Sequence, residues 1–370
     1  MSKNTSFSTW VEIALDAIQG NIHLVRQQTG KQIMAIVKAN GYGHGALAVA
    51  QAALEAGATW CGVARLEEAL ELRQAGLECP ILLLSWTPPE QIRIAISHRI
   101  SLAVWTYEQA EWMATEAKRL EVQARLHLKV DTGMGRVGIQ QESAAGLARR
   151  LHDDPDVFFE GLFTHFARAD EIDTTTTERQ EMLFSQLLTE FESLSLRPPF
   201  VHASNSAASI TRPSAHYDIL RLGIAMYGLH PSDECLLPPG FRPALAWKSI
   251  LSHIKVLPPG SGVSYGHEYV TRKHERIGTI PVGYADGLRR NAENHVLVGG
   301  KLALVVGRVC MDQILVQLDQ MPDARVLDEV VIIGAQGNQR IRAEDVARRW
   351  RTNNYEVVCG ISARVPRIYT

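Results

Sequence analysis

Lys38 stands where an apolar run, Ala35-Ile36-Val37, meets a turn punctuated by glycine, Gly41-Tyr42-Gly43-His44-Gly45. A lysine at the end of such a run loses hydration, and burial disfavours its charged form, so its amine is drawn toward neutrality and becomes a usable nucleophile or base. The glycines let the backbone turn tightly and approach an anion, with Tyr42 projecting between them. A surface lysine closing a strand would look the same, so the remaining polar residues have to decide. Lys129-Val130-Asp131-Thr132-Gly133-Met134-Gly135-Arg136 is a glycine-rich segment offering an arginine that can grip a carboxylate through two N–H groups. Thr164-His165-Phe166 closes another apolar run, His202-Ala203-Ser204-Asn205-Ser206 closes a third, and Arg221 precedes Gly223-Ile224 in a fourth. Each has a plainer role: Arg136 as a surface charge, His165 and His202 as core histidines, Ser206 as a helix cap. Together they describe a pocket for an anionic cofactor and a carboxylate substrate, with an amine in the middle.

Residues this far apart meet only if the fold carries them to one face. Between about Val11 and Gly228 eight short apolar runs alternate with helical-period segments: Ile33–Val37, Trp60–Ala64, Ile81–Ser85, Leu102–Trp105, Ala124–Val130, Phe158–Thr164, Phe200–Ala203 and Ile219–Leu222. Amphipathic stretches such as Ala46–Ala56, Leu66–Ala75, Tyr107–Leu120 and Ser143–Leu151 lie between them. The pattern predicts an α/β (β/α)8 TIM barrel, with a doubly wound open sheet as the alternative. In a barrel, chemistry sits at the carboxyl ends of the strands, and the loops after strands seven and eight commonly hold a phosphate, a role that fits Asn205, Ser206 and the backbone of Gly223 and Ile224. Past the proline-rich segment Pro238–Pro243 the period changes to two, over Ser249–Val256, Arg276–Val282, Val296–Val298, Leu302–Val306, Ile314–Leu318 and Val330–Ile333. Gly299-Gly300 signals a hairpin, and Ala343–Trp350 reads as the only late helix. The expected division is therefore a barrel over 1–240 and a smaller β-rich domain over 241–370.

The 370 residues suffice for two cores, and a formal charge of -2 from 38 Lys+Arg against 40 Asp+Glu gives no general attraction to nucleic acid or anionic membrane. No signal-peptide core or membrane span is found, and the five scattered cysteines lack metal-ligand spacing. A cytoplasmic protein with a small-molecule partner and no metal is expected.

The motifs resemble those of the alanine racemases, pyridoxal-phosphate enzymes of fold type III, along nearly the whole chain. Val37-Lys38-Ala39-Asn40-Gly41-Tyr42-Gly43-His44-Gly45 is similar to the family's cofactor-lysine signature, and Arg221-Leu222-Gly223-Ile224-Ala225-Met226-Tyr227-Gly228 resembles the segment whose arginine faces the pyridine nitrogen. Val263-Ser264-Tyr265-Gly266 resembles the segment of the second catalytic base, and Gly307-Arg308-Val309-Cys310-Met311-Asp312 a run near the substrate carboxylate. The resemblance implies pyridoxal 5'-phosphate held covalently on Lys38, with Tyr42, Ser206, Tyr355 and the amides of Gly223 and Ile224 on its phosphate. It implies Arg136 and the Met311 amide on the substrate carboxylate, His165 between the ring region and Tyr265, and His202 bracing Arg221. Lys129 matches a position carbamylated in several members, where the added charge orients the arginine corresponding to Arg136. Tyr284, Asp170, Arg289 and Arg308 match residues of the substrate access corridor. Tyr265 and Met311 would come from the other subunit of a head-to-tail homodimer.

The implied reaction is interconversion of L- and D-alanine by two bases on opposite faces of the substrate, supplying D-alanine for peptidoglycan; Tyr265 would serve the L-isomer and Lys38 the D-isomer. A tyrosine of ordinary pKa costs roughly 4 kcal/mol to ionise at pH 7, and the link to His165 near Arg221 is a source of relief. The rivals are a serine or broad-specificity racemase, a decarboxylase of basic amino acids, and a non-catalytic pyridoxal-phosphate carrier. The decarboxylase pattern has glutamate where Arg221 stands, and the carriers resemble the barrel alone.

Overall fold

The structure, a computed structural model, describes residues 7–370, so the first six residues of the expected 1–240 domain lie outside it. The chain divides into two compact units: Asp16–Arg242, and Pro243–Thr370 together with the N-terminal segment through Leu15.

The first unit is the expected barrel. After β1 (Thr9–Ile13), which belongs to the other unit, come β2 (Gln32–Ile36), β3 (Trp60–Val63), β4 (Ile81–Leu83), β5 (Ile100–Val104), β6 (Ala124–Lys129), β7 (Val157–Phe163), β8 (Phe200–His202) and β9 (Ile219–Leu222). Strands β2 to β8 pair in parallel with their neighbours in chain order, and β9 pairs with β2. Two backbone bonds close the ring between the segments of β8 and β9, Asp218 N–H to Val201 O (2.9 Å) and Arg221 N–H to Ser204 O (3.1 Å). Because helices cover the outside and side chains fill the inside, the strands are buried on both faces, as in β5 and β9, where every residue is buried. Met34, Ile36, Trp60, Leu82 and Ile219 form one apolar cluster among them.

The second unit is β-rich. Its main sheet orders the strands Lys301–Leu304, His295–Val298, Glu329–Gln336, Leu245–Ile250, β1 and Arg367–Tyr369, and Gly299-Gly300 makes the expected hairpin turn. β1 runs antiparallel to Leu245–Ile250 and parallel to Arg367–Tyr369, so the N-terminal segment expected in the barrel instead completes this sheet. The run expected as one strand over Ser249–Val256 is two: the chain breaks at Leu251-Ser252 and its second half, His253–Leu257, joins a separate sheet with Glu275–Ile280 and Ile314–Gln317. Buried Leu251 anchors the corner. A second late helix, Asn354–Cys359, follows the expected Ala343–Trp350, and the Asn353 side chain caps it by accepting from Glu356 N–H (2.9 Å). No helix among the described residues is long and apolar enough to cross a membrane.

Candidate active site

β2 stops at Ile36, and Lys38, half-buried, opens the turn that follows rather than ending the strand. That turn is left-handed from Ala39 to Gly43, all five residues having positive φ, three of them without the freedom of glycine. Each such L-residue costs about 1–2 kcal/mol, so the conformation persists only because its surroundings over-determine it. The Glu68 carboxylate accepts from Ala39 N–H (2.6 Å), and Asn40 Oδ1 accepts from Ala46 N–H (3.0 Å). Tyr227 donates its hydroxyl to Ile36 O (2.9 Å) and packs its ring 5.0 Å from that of Tyr42. Glu68 was not legible as a site residue, although its place three residues into the helix after Arg65, where it also accepts from Ala64 and Arg65 N–H, is a capping-box signal.

Tyr42 is thereby carried to the ends of β8 and β9. Ser206 Oγ accepts from Gly223 N–H (2.9 Å) and Ala225 N–H (3.3 Å), and Ile224 opens a 3-10 turn through Tyr227. A Cβ on Gly223 would stand 2.9 Å from the Tyr42 hydroxyl and 3.6 Å from Ser206 Oγ. Two hydroxyls and the start of a turn thus converge on a hollow that a side chain at 223 would fill, and this chemistry fits a phosphate monoester. The residue capping the next helix is Asn205, whose Oδ1 accepts from Ala208 N–H (3.0 Å), and not Ser206. With its oxygen turned to the helix, Asn205 has its amide nitrogen to donate to an anion.

Arg221 is 4% exposed and turns its two Nη groups to three backbone carbonyls, His202 O (3.0 Å), Thr164 O (2.8 Å) and Ala203 O (2.7 Å), and to two ring nitrogens, His202 Nδ1 (2.9 Å) and His165 Nδ1 (3.1 Å). Burial, reinforced by Arg136, pushes it down to about 9, which leaves it protonated at neutrality. Since arginine only donates, both Nδ1 atoms must accept, and the proton of each ring sits on Nε2. Burial, followed by the charges of Arg221 and other cations, holds His165 and His202 well below the ordinary imidazole range. His165 is thereby set up as a neutral N–H donor on Nε2 with cationic Arg221 at its other nitrogen.

Lys129, at the end of β6, is buried with its ammonium 5.4 Å from the Phe163 ring centre. Burial first, then Arg136, Arg221 and Lys38, lower it to about 8. The same cations act on His165, which gathers Lys38, Lys129, Arg136, His165 and Arg221 into one basic site. Exposed Arg136 rides on a loop shaped by Asp131, whose Oδ1 accepts from the amides of Gly133 (2.9 Å), Met134 (2.9 Å) and Gly135 (3.1 Å). Asp170 is half-buried in the same unit, and burial raises its carboxyl.

The remaining expected residues lie in the β-rich unit. Tyr265 (70% exposed) and Met311 (52% exposed) line, with Ser264, Cys310 and Asp312, one surface depression of 630 Å³. Glycines make the loops interlock: a Cβ on Gly283 would lie 2.2 Å from Met311 O, and one on Gly307 2.4 Å from Val263 O. Asp312 pairs with Arg364 (2.7 Å), Arg308 with Glu268, and Arg289 with Glu356. Tyr284 is exposed, its amide donating to Cys310 O (3.0 Å), and Tyr355 is half-buried on the helix Asn354–Cys359.

Residues 13–231 match the sequence description of the alanine racemase N-terminal domain and 244–369 that of the C-terminal domain. An alanine racemase of Halothermothrix orenii is 43% identical over all of this chain and 98% of its own, and one of Geobacillus stearothermophilus is 46% identical over 98% and 93%. A crystal structure of alanine racemase from Bacillus anthracis with bound L-Ala-P superposes with a TM-score of 0.92 at 40% identity, covering 99% of this chain and 96% of that one. With both domains matched in order and sequence identity sustained from end to end, the chain belongs to the alanine racemase family.

Proposed function

We propose that this chain interconverts L- and D-alanine with pyridoxal 5'-phosphate held on Lys38. The observation that carries the reading is the pairing, along one strand end, of the Tyr42–Ser206–Gly223 hollow with a buried arginine two residues before it. An acid at 221 would hand a proton to a facing pyridine nitrogen; Arg221 stays protonated and can only donate a hydrogen bond, its two Nη groups being engaged by carbonyls and ring nitrogens. That argues against the decarboxylase alternative, and the matched β-rich domain argues against a carrier confined to the barrel.

Racemisation requires that a proton leave one face of the α-carbon and return to the other, so two groups must hold protons on opposite sides. Lys38 Nζ serves one face and Tyr265 Oη the other. Pyridoxal phosphate, when bound, supplies the electron sink for the pair left behind as the α-proton departs. Tyr42, Ser206, the Ile224 amide and Tyr355 hold its phosphate, joined by the Gly223 amide as Ser206 Oγ yields that N–H to the ligand, with Asn205 contributing its amide nitrogen. His165, neutral and protonated on Nε2, donates to the Tyr265 oxygen, while Arg136 and the Met311 amide orient the substrate carboxylate. A basic site with few acids suits both anions.

The exposure of Tyr265 and Met311 supports a head-to-tail homodimer in which each completes the partner's site. Tyr284, Asp170, Arg289 and Arg308 are assigned to the access corridor on the resemblance alone. All five cysteines are free thiols, which supports a cytoplasmic location, where D-alanine would feed peptidoglycan.

The test is borohydride reduction of the pyridoxal-phosphate-loaded protein with peptide mapping, joined to a panel of L-amino acids analysed on a chiral column. Pyridoxyl on Lys38 and D-alanine as the dominant product are expected. Label on any other lysine sinks the cofactor assignment, and serine turned over as fast as alanine would make this a broad-specificity racemase.

A further inference from the structure

The barrel interior holds an ion pair and a histidine that the reaction above does not use, joined to the His202 that braces Arg221. Glu160 in β7 is 0% exposed, as are His127 in β6 and His202 in β8. Glu160 Oε1 accepts from Arg125 Nε (2.9 Å) and also from Arg125 Nη2, while Oε2 accepts from the Ser101 hydroxyl. Oε2 also lies 3.3 Å from His127 Nε2, and His127 Nδ1 lies 3.0 Å from His202 Nε2. His202 Nδ1 then meets the Arg221 guanidinium at 2.9 Å. An unbroken line of hydrogen bonds runs from Arg125, whose side chain is 45% exposed, to Arg221.

Local structure is bent to make this line. The β6–β7 pairing slips between Leu126 and His127, where Phe159 and Gly161 take successive partners and Glu160 is the extra residue. Such a bulge re-aims a side chain, here a carboxylate into the barrel. A Cβ on Gly161 would stand 2.1 Å from His127 Nδ1, so the imidazole occupies space that only glycine leaves. His202 is stacked on Phe163 (4.8 Å, 10°), and the Arg221 guanidinium lies 5.6 Å from the same ring. A buried carboxylate with two histidines is costly compared with apolar packing, and retaining one needs a reason beyond stability.

The reason lies in direction. Arg221 can only donate and an ionised Glu160 can only accept. With the ends so defined, His202 must carry its proton on Nε2 and give it to His127 Nδ1, and His127 must carry its own on Nε2 and give it to Glu160. Only this assignment satisfies every atom with both rings neutral. Burial pushes the Glu160 carboxyl up, but His127, Arg125 and Ser101 outweigh it and bring it down to about 2, so the accepting end stays ionised. We propose that Glu160 and His127 are positioning residues for Arg221, locking His202 in the tautomer that accepts from the guanidinium and so holding Arg221 in place at the cofactor. The proposal rests on the reading that Arg221 faces the pyridine nitrogen.

Glu160→Gln tests it, because Arg125 dictates how the amide must sit. Arg125 can only donate at the Oε1 position, whereas Ser101 and His127 at the Oε2 position can each turn to accept, so the amide oxygen goes to Arg125 and the NH2 group turns toward Ser101 Oγ and His127 Nε2. His127 must then accept, move its proton to Nδ1 and donate to His202 Nε2, and His202 is left with a proton on Nδ1 facing the Arg221 N–H. Side-chain 15N shifts of the full-length protein, with and without pyridoxal phosphate, should show His127 and His202 exchanging Nε2 protonation for Nδ1. The kcat for racemisation should fall about 10–100-fold, by analogy with the carboxylates that orient metal-bound histidines, with KM for alanine unchanged and Lys38 still labelled after borohydride. Adding Arg125→Met frees the amide to turn its oxygen back to His127, so E160Q/R125M should recover the original nitrogen shifts and most of kcat. Should E160Q fold poorly, His127→Asn, which keeps an acceptor for His202, should retain kcat within a few-fold while His127→Leu loses it. Unchanged His202 shifts in E160Q, loss of kcat that R125M does not relieve, or equal activity of H127N and H127L would overturn the proposal. If the unsubstituted protein takes no pyridoxyl label on Lys38, the cofactor reading fails by itself, and the nitrogen shifts still report on the relay.

Discussion

Lys129 should form a carbamate with carbon dioxide under conditions where ordinary lysines do not. Only the neutral amine attacks carbon dioxide, giving R–NH–COO⁻ and a released proton, so reactivity follows the neutral fraction. Burial among Arg136, Arg221 and Lys38 brings Lys129 to about 8 from the usual 10.5, and at pH 8 this raises the neutral fraction from roughly 0.3% to roughly a half, about 150-fold. The product reverses the local electrostatics, since a cation repelled by three others becomes an anion attracted to them. With 13C-bicarbonate at pH 8, one carbamate resonance should appear in the full-length protein and be missing from Lys129→Met. Its loss removes a charged partner of Arg136; because Arg136 is exposed, the low end of the 1.5–3 kcal/mol range for such bonds applies, and KM for alanine should rise about 10-fold. In protein stripped of carbon dioxide the amine opposes folding instead. The unfolded chain then binds the extra proton between about pH 8 and 10.5, so the opposition is full below pH 8 and relieved as pH rises through that window, by at most about 3 kcal/mol. A carbamate signal that survives Lys129→Met, or none in the unsubstituted protein at pH 8, would refute the reasoning.

Gly223→Ala places a methyl 2.9 Å from the Tyr42 hydroxyl; overpacking of about 1–3 kcal/mol should weaken pyridoxal phosphate binding roughly 5- to 150-fold. Fluorescence titration should show unphosphorylated pyridoxal much less affected, and equal losses for both would place the phosphate elsewhere. Tyr265→Phe should retain exchange of the D-alanine α-hydrogen in deuterated water, through Lys38, while exchange on L-alanine and net racemisation fall about 10²–10⁴-fold together. Equal loss on both enantiomers, in protein that still binds cofactor, would favour a single base. Mixing inactive Lys38→Ala with inactive Tyr265→Phe should yield heterodimers with one intact site and restored turnover; verified heterodimers without activity would exclude a site shared between subunits.

The βα period was legible because each apolar run reports burial of a strand on both faces, and the barrel rule then carries Lys38, His165, Ser206 and Arg221 to one end. The break at Leu251-Ser252 was not legible, since both halves alternate with period two and only tertiary pairing assigns them to different sheets. β1 escaped for the same reason, its partners lying more than 230 residues away in the chain. The short helix carrying Tyr355 has a local signal in Asn353, the residue that caps it. Glu160 left one too, as a lone acid inside an apolar strand.

By itself the sequence determined which residue types stand at the strand ends, that an amine, an arginine and small hydroxyl residues converge there, and the family to which they point. The residue types and their convergence follow from local periodicity and spacing, which the chain carries wherever it folds, and the family from the likeness of the motifs around Lys38, Arg221, Tyr265 and Met311. The tertiary structure alone decided that residues 39–43 wind left-handed, that Asn205 rather than Ser206 caps its helix, and that His165 is a neutral donor. It also decided that Glu160, through a bulge, reaches Arg221 across two histidines. A protonation state or tautomer is set by whichever donors, acceptors and charges lie within a few ångströms, and here those partners come from strands tens of residues apart.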